Sequence, residues 1–588
     1  MIDGGHLVSY IDVKRHGSKI VCWYRDANKQ LIKDSYNISD YNYFYIPSPK
    51  GKYQSMFGDQ VSKIYFKGYR EYEDAKEKYQ TKFESDISPE YKMLSDEFHD
   101  APNTPLNICL YDIEADFDLS TGKGYPTPEN PHGKINSVSM YKSYENEYYM
   151  IMLTDDHSIK FTDDEENLKI NFYHVSSERQ LLDTFLKLIK NTDIISAWNQ
   201  DGYDIPYIIE RLKLNYGEDY ATSLLCRDGF DAYVREGKDD FGNDQKQYKL
   251  VGRQALDTML LYKKFTFEEK TSYALNAISE IELKKNKVEY DGDLGELYRT
   301  DPHKFFWYSF EDTRILKQMN DKLAHIDLAI QMAREATVRY SDIFGSIKYL
   351  EHAIRNYSHF KRTEPVVLPD VKDHEKESYP GAIVLDTKSN VYGWSMSIDL
   401  ASLYPSVIRA LNISPETFTM QCLNSHDDFV KVVTQSDDQI DVRVMSQNRG
   451  SGTEPLEVYT LTGKELYEFI QLNGYSISAN GSIFTNDVIG LIPEVLGVWY
   501  QTRKELKGKM KSAETDDEKS FYDRRQHIMK INLNSLYGAM SNRFCRFYDI
   551  NIASSVTLTG QEIEKFQTYS GDQTVRKVTE QYSTMESL

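Results

Sequence analysis

The sequence has 588 residues, a length typical of several domains rather than one. Its 40% apolar and 27% charged residues are an ordinary balance for a globular protein and argue against disorder. The formal net charge of −21 argues against a simple nucleic-acid-binding protein, whose surface is usually basic, unless Lys and Arg cluster locally.

The first part of the chain is predicted to be rich in strands. Residues 7–13 and 20–24 are short apolar stretches separated by polar turns, a pattern typical of strands. Residues 69–83 are charged and favour a helix. We therefore predict a β-rich amino-terminal domain over residues 1–107, which residues 331–372 complete.

Residues 108–330 are predicted to form an α/β domain. Strands are expected at residues 106–113 and 194–198, and helices at residues 181–189 and 260–265. In such domains the active residues tend to lie where strands end.

Three groups of acidic and aromatic residues lie in this domain. Asp112 and Glu114 end the first strand, and residues two apart on a strand point the same way. Asp204 follows the second strand just before a helical start, where an acid also serves as a helix cap. Tyr308 and Asp312 are four residues apart and share a helix face. Taken singly, each group fits a structural or solvated role better than a functional one.

A polar hairpin is predicted between the second and third of these groups. Residues 238–249 are charged and contain a Gly-Asn pair, which is typical of a tight turn between two strands. A plain surface hairpin is one interpretation of this pattern.

A polar segment at residues 370–379 precedes the second half of the chain, where a buried strand is expected to end at Asp399. Residues 422–470 are rich in Asp, Gln and Ser and are predicted to be an elaborated surface insertion. The predicted divisions after the α/β domain are residues 373–483, residues 484–542, which are helical, and residues 543–588, which end in a polar tail.

Two long helices, at residues 492–512 and 517–540, carry cations on one face. Arg503 and Lys507 are four residues apart on the first helix. On the second helix, four residues at spacings of four, four and three share a face: Gln526, Lys530, Asn534 and Tyr537. For the other lysines of the first helix, a merely solvated face is an equally good interpretation.

Other classes of protein are disfavoured by the sequence. No run of about 18 apolar residues occurs, so no membrane-spanning segment is expected. The first residues lack the basic and apolar parts of a secretory signal. The five cysteines lie far apart without a CxxC pair, which favours reduced thiols over a zinc site.

The three acidic groups, in this order, resemble the exonuclease motifs of family B DNA polymerases: DxE, then Nx₂₋₃(F/Y)D, then Yx₃D. The resemblance implies a ribonuclease H-like 3′–5′ exonuclease domain that uses Mg²⁺, with Mn²⁺ as the alternative, and two ions in each active site. It assigns catalytic roles to Asp112, Glu114, Asp204, Tyr308 and Asp312, and the four carboxylates among them are the expected metal ligands. It also implies that the hairpin helps to separate primer from template.

The string SMSIDLASLYPSVI at residues 395–408 resembles motif A of the same family, DxxSLYPSII. The resemblance implies a polymerase palm in which Asp399 is catalytic and binds both metal ions. It implies that the triphosphate and sugar of an incoming dNTP lie against the following residues, with Tyr404 excluding a 2′-hydroxyl: Leu400, Ala401, Ser402, Leu403 and Tyr404.

The string HIMKINLNSLYG at residues 527–538 resembles motif B of that family, Kx₃NSxYG, in helical fingers. The resemblance implies nucleotide binding by four residues: Arg503, Lys507, Lys530 and Asn534. It implies DNA binding by four others, two of which lie in the segment before the palm: Tyr379, Gly381, Tyr537 and Gly538. The T-even bacteriophage branch of the family is the most similar one, and it implies a virus-encoded enzyme acting in the bacterial host cytoplasm.

Family B enzymes carry a second metal-binding carboxylate in a DTDS hairpin and then a thumb, and residues 541–588 contain neither. We therefore expect the amino-terminal subunit of a split replicative polymerase, incomplete alone. Its partners would be primer–template DNA, dNTP, a second polypeptide with the rest of palm and thumb, and a sliding clamp reached through that polypeptide. The alternatives are a free-standing 3′–5′ exonuclease with a vestigial palm and a non-enzymatic DNA-binding protein.

Overall fold

The computed structural model describes most of the chain. The described residues are 8–101, 104–161, 168–238, 244–266, 268–285, 287–288, 290, 292–375, 377–383, 400, 402–445 and 457–585. They fall into two compact units. The first comprises Met1–Tyr41 with Pro89–Gly345, and the second comprises Asn42–Ser88 with Ser346–Leu588. The predicted mixed α/β multidomain architecture is confirmed, while the predicted domain boundaries stay a prediction.

A six-stranded sheet forms the centre of the first unit. Its strands lie side by side in the order Ile170–Val175, Glu147–Leu153, Ile135–Lys142, Ile108–Ala115, Ile194–Ser196 and Gln254–Ala255. The strand Ile108–Ala115 pairs antiparallel with Ile135–Lys142 and parallel with Ile194–Ser196. The two strands predicted here, at residues 106–113 and 194–198, are therefore confirmed and are neighbours.

Helices cover both faces of this sheet. On one face, apolar residues of Glu178–Ile189 and Asp204–Tyr216 pack on Tyr111 and Ile113 of the central strand. On the other face, Phe305, Phe306 and Phe310 of Pro302–Leu323 form a second core with Tyr148 and Met150. Such a three-layer arrangement buries both faces of the sheet and leaves polar residues to the strand ends. The site described below lies under the second helix layer.

The other elements of the first unit surround this centre. Three antiparallel strands, Ser9–His16, Lys19–Arg25 and Leu31–Asn37, confirm the predicted amino-terminal strands. The predicted hairpin pairs Tyr233–Lys238 with Asp244–Lys249, and its tip at residues 239–243 lies outside the described residues. The other helices are Ile38–Tyr41, Pro89–Phe98, Glu218–Leu224, Thr258–Phe265, Leu275–Leu283, Leu294–Thr300 and His325–Ala336, with 3₁₀ turns at Leu119–Thr121 and Tyr340–Phe344.

The second unit contains two further sheets. One has strand order Val366–Val367, Tyr53–Ser55, Gln60–Tyr65 and Tyr43–Pro47, with the helix Tyr69–Lys78 on its Phe44 side. The other has the order Glu457–Thr462, Gln439–Val444, Phe418–Cys422, Ser482–Phe484 and Ser476–Ile477. With the helices Ser425–Val433 and Gly463–Leu472, the second sheet encloses its own core of Val432, Ile440, Val442 and Leu466. The described parts of residues 422–470 are therefore regular, although their polar composition predicted only a surface insertion.

Long helices make up the rest of the second unit. The helices Leu491–Ser512 and Asp516–Met540 match the two predicted ones within one residue at each end. The predicted polar tail is helical as far as Met585, because Ile550–Met585 is one helix, and residues 586–588 lie outside the described residues. The remaining helices are Ser346–Asn356, the π-helix Tyr357–Lys361 and Leu403–Ala410. Among the described residues, no helix combines the length and apolar character that crossing a membrane requires.

Candidate active site

The central strand of the six-stranded sheet presents two carboxylates to the overlying helix. Tyr111 and Ile113 of Ile108–Ala115 are buried in the core on one face. Because side chains alternate along a strand, Asp112 and Glu114 point to the opposite face, where Pro302–Leu323 lies.

Two serines of the neighbouring strand seat this helix on the sheet. Ser139 is paired with Asp112 and Ser137 with Glu114 across the strands, so these side chains share a face. The hydroxyl of Ser137 is 2.8 Å from that of Ser309, and Ser139 Oγ donates to the backbone oxygen of Ser309 at 2.7 Å. Small hydrogen-bonding residues therefore bring the helix backbone close to the sheet, and sequence patterns alone gave no indication of this role.

The helix contributes the third carboxylate. Oxygen atoms of Asp112, Glu114 and Asp312 all lie within 4.8 Å of one another, and we call these three residues the carboxylate cluster. Asp312 is only 2% exposed, and its buried Oδ1 atom has no hydrogen-bond partner among the residues that the structure describes. An unpartnered buried carboxylate oxygen beside two other acids fits a divalent cation, because hard cations prefer oxygen ligands.

Crowding and burial oppose the ionisation of these acids. Burial, followed by repulsion from Asp312 and Glu114, raises the pKa of Asp112 well above its usual range. Burial and then Asp312 raise the pKa of Glu114 to about 8. Burial also raises the pKa of Asp312, although Lys287 opposes that rise. A bound cation would reverse this effect, since it favours the ionised form.

Lys287 is a further residue of this site that the sequence did not indicate. Its Nζ atom is 2.5 Å from Asp312 Oδ2 and 3.1 Å from the Tyr308 hydroxyl. Burial alone would lower the pKa of Lys287, but Asp312 and Tyr308 raise it, so the lysine is charged. It comes from an irregular segment without periodic pattern, and only the folded chain brings it to the cluster.

Tyr308 lies one helical turn before Asp312, as its spacing predicted. Burial and then the charge of Asp312 raise the pKa of its phenol, which therefore stays protonated. Its ring meets that of Tyr290 edge-on at 5.3 Å between centroids. A protonated phenol beside the cluster can donate a hydrogen bond and orient a water molecule.

Asp204 lies close to the carboxylate cluster but outside its 4.8 Å limit. It begins the helix Asp204–Tyr216 and is 4% exposed. Burial and then Asp257 raise its pKa to about 8, while the backbone of Ile113, between the two strand carboxylates, offsets part of the rise. Its charge in turn raises the pKa of Asp112. The structure thus places the fourth predicted acid beside the central strand.

Asp257 positions the loop that carries Asp204. Its carboxylate caps the helix Thr258–Phe265 and accepts from the backbone N–H groups of Asn199 at 3.2 Å and Asp201 at 3.0 Å. The sequence offers a local indication of this cap, an Asp before a helical run, but the contact with residues 199–201 depends on the fold.

Without divalent cations, the protein should lose stability as the pH rises. Folding raises the pKa of Glu114 from 4.5, and that of Asp204 from 3.8, to about 8. A carboxyl whose pKa folding raises stabilises the fold below its unfolded pKa, and this stabilisation disappears as the pH rises through the folded pKa. A pKa change of one corresponds to about 1.4 kcal/mol. Thermal unfolding in EDTA should therefore show a midpoint that falls between about pH 5 and pH 8.

Mg²⁺ provides the control for that measurement. It should raise the midpoint more at about pH 8 than at about pH 5, because protons compete with it for the carboxylates. A midpoint in EDTA that is constant or rises over this range would contradict the assigned crowding of acids.

The second unit holds most of the other predicted site residues. The Tyr404 and Tyr537 rings lie 4.7 Å apart between centroids, and the Tyr379 hydroxyl is 3.2 Å from that of Tyr537. Arg503 Nε donates to Gln526 Oε1 at 3.4 Å, which joins the two cation-bearing helices. Lys507 lies on the first of these helices, and Lys530, Asn534 and Gly538 lie on the second.

The residues of the predicted palm strand are described only in part. Asp399 and Ala401 lie outside the described residues. Leu400 is partly exposed, Ser402 precedes the helix Leu403–Ala410 with φ of +58°, and Gly381 has open space where a side chain would be. The roles predicted for these residues therefore stay predictions: metal binding for Asp399, nucleotide binding for Leu400, Ala401 and Ser402, and DNA binding for Gly381.

Comparison with known proteins identifies the family. The model for DNA polymerase family B matches residues 357–585, and the model for the exonuclease domain of that family matches residues 62–278. The chain thus carries the exonuclease domain and the polymerase domain of DNA polymerase family B. The exonuclease match includes Asp112, Glu114 and Asp204, and the family B polymerase match includes Tyr404, Arg503 and Lys530.

Individual family B relatives are distant. The chain is 28% identical to the DNA-directed DNA polymerase of Escherichia phage RB69 over 501 residues and 26% identical to that of Enterobacteria phage T4 over 519 residues. These alignments cover 78% and 76% of this chain, but only 54% of each phage protein. The DNA polymerase delta catalytic subunit of Arabidopsis thaliana is 26% identical over 427 residues, which are 68% of this chain and 34% of that protein. The chain thus spans about half the length of the phage relatives.

Proposed function

We propose that the first unit is a 3′–5′ exonuclease that removes nucleotides from single-stranded DNA ends, as the proofreading part of a DNA-directed DNA polymerase. The observation that carries this proposal is the carboxylate cluster. In it, Asp112 and Glu114 lie beside Asp312, whose buried Oδ1 atom has no hydrogen-bond partner among the described residues. The two matching family B domains give the substrate class. The ribonuclease H-like fold and the proofreading role are parts of the same proposal.

The cluster has more negative charge than the protein neutralises nearby. Within the described part of the chain, one ammonium group, that of Lys287, pairs with the carboxylate cluster, and Asp204 adds a fourth acid close by. Asp112, Glu114, Asp312 and Asp204 would hold two Mg²⁺ or Mn²⁺ ions. Such a pair lowers the pKa of a bound water and stabilises the leaving oxygen of a phosphodiester.

The residues of the chain itself orient the reactants. The Tyr308 hydroxyl, held by Lys287, donates toward the cluster and positions the attacking water. Lys287 also fixes one oxygen of Asp312, which leaves the other directed at the metal site. The exposed side chain of Tyr125 and its neighbour Phe117, whose ring centroids are 5.0 Å apart, offer apolar surface near Glu114 on which a terminal base can stack.

Divalent cations should be required for hydrolysis. We expect the full chain to shorten a 5′-labelled single-stranded oligonucleotide from its 3′ end with Mg²⁺, because the four acids need cations to lower the charge at the scissile phosphate. EDTA should remove the activity, and excess Mg²⁺ or Mn²⁺ should restore it. The products, resolved one nucleotide apart on a gel, are the measurement. Hydrolysis that persists in EDTA, or products that start from the 5′ end, would contradict the proposal.

For the second unit we propose nucleotidyl transfer on primer–template DNA with dNTP substrates. Asp399 would bind the metal ions, Tyr404 would exclude a 2′-hydroxyl, and Arg503, Lys507, Lys530 and Asn534 would hold the triphosphate. The second metal-binding carboxylate and the thumb would come from residues beyond this sequence, in a second polypeptide if the enzyme is split. The clamp contact would lie there too, and a phage-encoded enzyme would act in the cytoplasm of its host.

A further inference from the structure

One cavity of the first unit is lined by residues other than those of the carboxylate cluster, and basic residues outnumber acidic ones in its lining. Its volume is about 370 Å³, and the strand Ser9–His16, the base of the hairpin and the turn after Val338 line it. Five basic residues and three acidic ones face it. We call it the basic pocket, and the proposed exonuclease reaction makes no use of it.

The hairpin gathers one group of these side chains. Tyr233 and Arg235 are two apart on one strand and point the same way, and Lys249 is paired directly with Tyr233 on the other strand. The Lys14 Nζ atom lies 3.5 Å from the centre of the Tyr233 ring. A half-exposed aromatic ring therefore lies in the pocket wall with three cations of the same lining, Lys14, Arg235 and Lys249.

The acids of the pocket are already engaged. Asp12 is 3% exposed, binds Arg339 Nε at 3.2 Å and accepts from the Gly252 backbone N–H at 2.8 Å. Asp342 accepts from the Tyr91 hydroxyl at 2.6 Å. Burial raises the pKa of Asp201, and Lys249 opposes the rise.

The cations on the wall lack such partners. Within the part of the chain that the structure describes, Lys14, Arg235 and Lys249 make no ion pair. Burial and then the charge of Arg339 lower the pKa of Lys14. Cations that repel one another in a concave site favour an anionic ligand.

A neighbouring cavity on the opposite face of the hairpin shows that this charge is specific to one side. Its volume is about 620 Å³, and it contains Glu129, Glu210 and Glu236 against Lys213 and Lys246. Lys213 is paired with Glu210 at 2.6 Å. A phosphate would therefore bind on the Lys14 side of the hairpin rather than on this one.

We propose that the basic pocket binds a nucleoside phosphate, with the phosphate between Lys14, Arg235 and Lys249 and the base against the Tyr233 ring. Charge-assisted hydrogen bonds to the phosphate and stacking on the ring supply the two parts of the recognition. The ligand is either a free nucleotide or one nucleotide of a DNA strand, because both offer this chemistry. The pocket is separate from the exonuclease site and does not depend on its activity.

Binding should be measured where the exonuclease site cannot contribute. The full chain with Asp112→Ala and Glu114→Ala, in EDTA, has neither metal ions nor the cluster that would hold them. We expect saturable binding of dAMP in isothermal titration calorimetry, or of fluorescein-labelled oligo(dT) in anisotropy titrations. In this background, Lys14→Gln and Lys249→Gln should each weaken dAMP binding about tenfold, the loss of one charged hydrogen bond.

Further variants identify the source of the phosphate and the role of the ring. For oligo(dT), each lysine removed should lower the salt dependence by about one counterion. Tyr233→Leu should weaken dAMP but leave inorganic phosphate unchanged. Saturable dAMP binding indicates a free nucleotide, and binding of oligo(dT) alone indicates a DNA strand. Lys187→Gln, which removes an exposed lysine of the helix Glu178–Ile189, is the matched control and should change nothing.

Two outcomes would overturn the proposal: neither ligand binds, or binding is unaltered in both Lys14→Gln and Lys249→Gln. Thermal midpoints equal to that of the control variant exclude misfolding as the cause of a loss. Since hydrolysis by the unmodified chain is measured separately, failure of the basic pocket and failure of the exonuclease proposal are distinguishable.

Discussion

Replacing Asp112 and Glu114 together by alanine should lower the rate of single-stranded DNA hydrolysis by at least about a thousandfold, or about 4 kcal/mol of transition-state stabilisation. These two residues are the carboxylates that the strand Ile108–Ala115 contributes to the carboxylate cluster with Asp312. Without them the remaining acids are Asp312, which Lys287 already neutralises, and Asp204, which lies outside the cluster. The measurement is the single-turnover rate on a 5′-labelled oligonucleotide with saturating Mg²⁺.

The matched control is Asp116→Ala, which removes the acid that directly follows the strand Ile108–Ala115. Asp116 is partly exposed, pairs with Arg299 at 3.3 Å and is not in the carboxylate cluster. We expect its rate within about twofold of the unmodified protein, since an exposed ion pair of this kind contributes little. Equal losses in the control and the double variant would show that the assignment of the cluster is wrong.

Stability separates loss of catalysis from loss of the fold. Burial opposes ionisation of both residues, so their removal relieves a cost in the metal-free protein. The thermal midpoint of the double variant in EDTA should therefore be equal to or higher than that of the unmodified protein near pH 8. If the double variant has a lower thermal midpoint than the unmodified protein under these conditions, the proposed cost of ionising Asp112 and Glu114 in the metal-free protein is contradicted.

Much of this site followed from local sequence pattern. The alternation of apolar and acidic residues in the strand Ile108–Ala115 placed Asp112 and Glu114 on one face, and the four-residue spacing placed Tyr308 on the face of Asp312. Each inference needs only the geometry of one element, and the resemblance of the ordered motifs to family B DNA polymerases then joined the three groups into one predicted site.

The rest of the site depends on contacts between distant segments. Lys287 reaches Asp312 from an irregular segment 25 residues earlier, and Ser137 reaches Ser309 across 172 residues. No periodicity encodes such a contact, because it is set by how a helix packs on a sheet. Residues 422–470 show the same limit. Val432 and Ile440 belong to one small core, whereas Val430, Val458 and Tyr459 are exposed, and the packing of the elements decides which apolar residues are buried.

The division of the chain into two units also depends on distant contacts, and one of them is an ion pair whose loss should be severe. Glu84 and Arg355, 271 residues apart, are both completely buried in the second unit. Arg355 Nε donates to Glu84 Oε2 at 2.8 Å, while Glu84 Oε1 lies 2.6 Å from His359 Nε2 and accepts from the Leu368 backbone at 3.1 Å. Burial opposes the ionisation of Glu84, but Arg355 and then His359 outweigh it and hold the pKa of Glu84 well below its usual range.

Arg355→Met should therefore destabilise the protein by about 3–5 kcal/mol, because it leaves a buried carboxylate without its main partner. Lys76→Met is the control from the same unit, since the ion pair of Lys76 with Glu73, at 2.9 Å, is partly exposed to solvent, and it should cost about 1 kcal/mol or less. Urea unfolding followed by circular dichroism gives both values. The double variant Glu84→Gln with Arg355→Met should recover part of the loss, since it removes the uncompensated charge. The buried ion pair joins residues 42–88 to the rest of the second unit. If Arg355→Met costs no more stability than Lys76→Met, this role of Glu84 and Arg355 is contradicted.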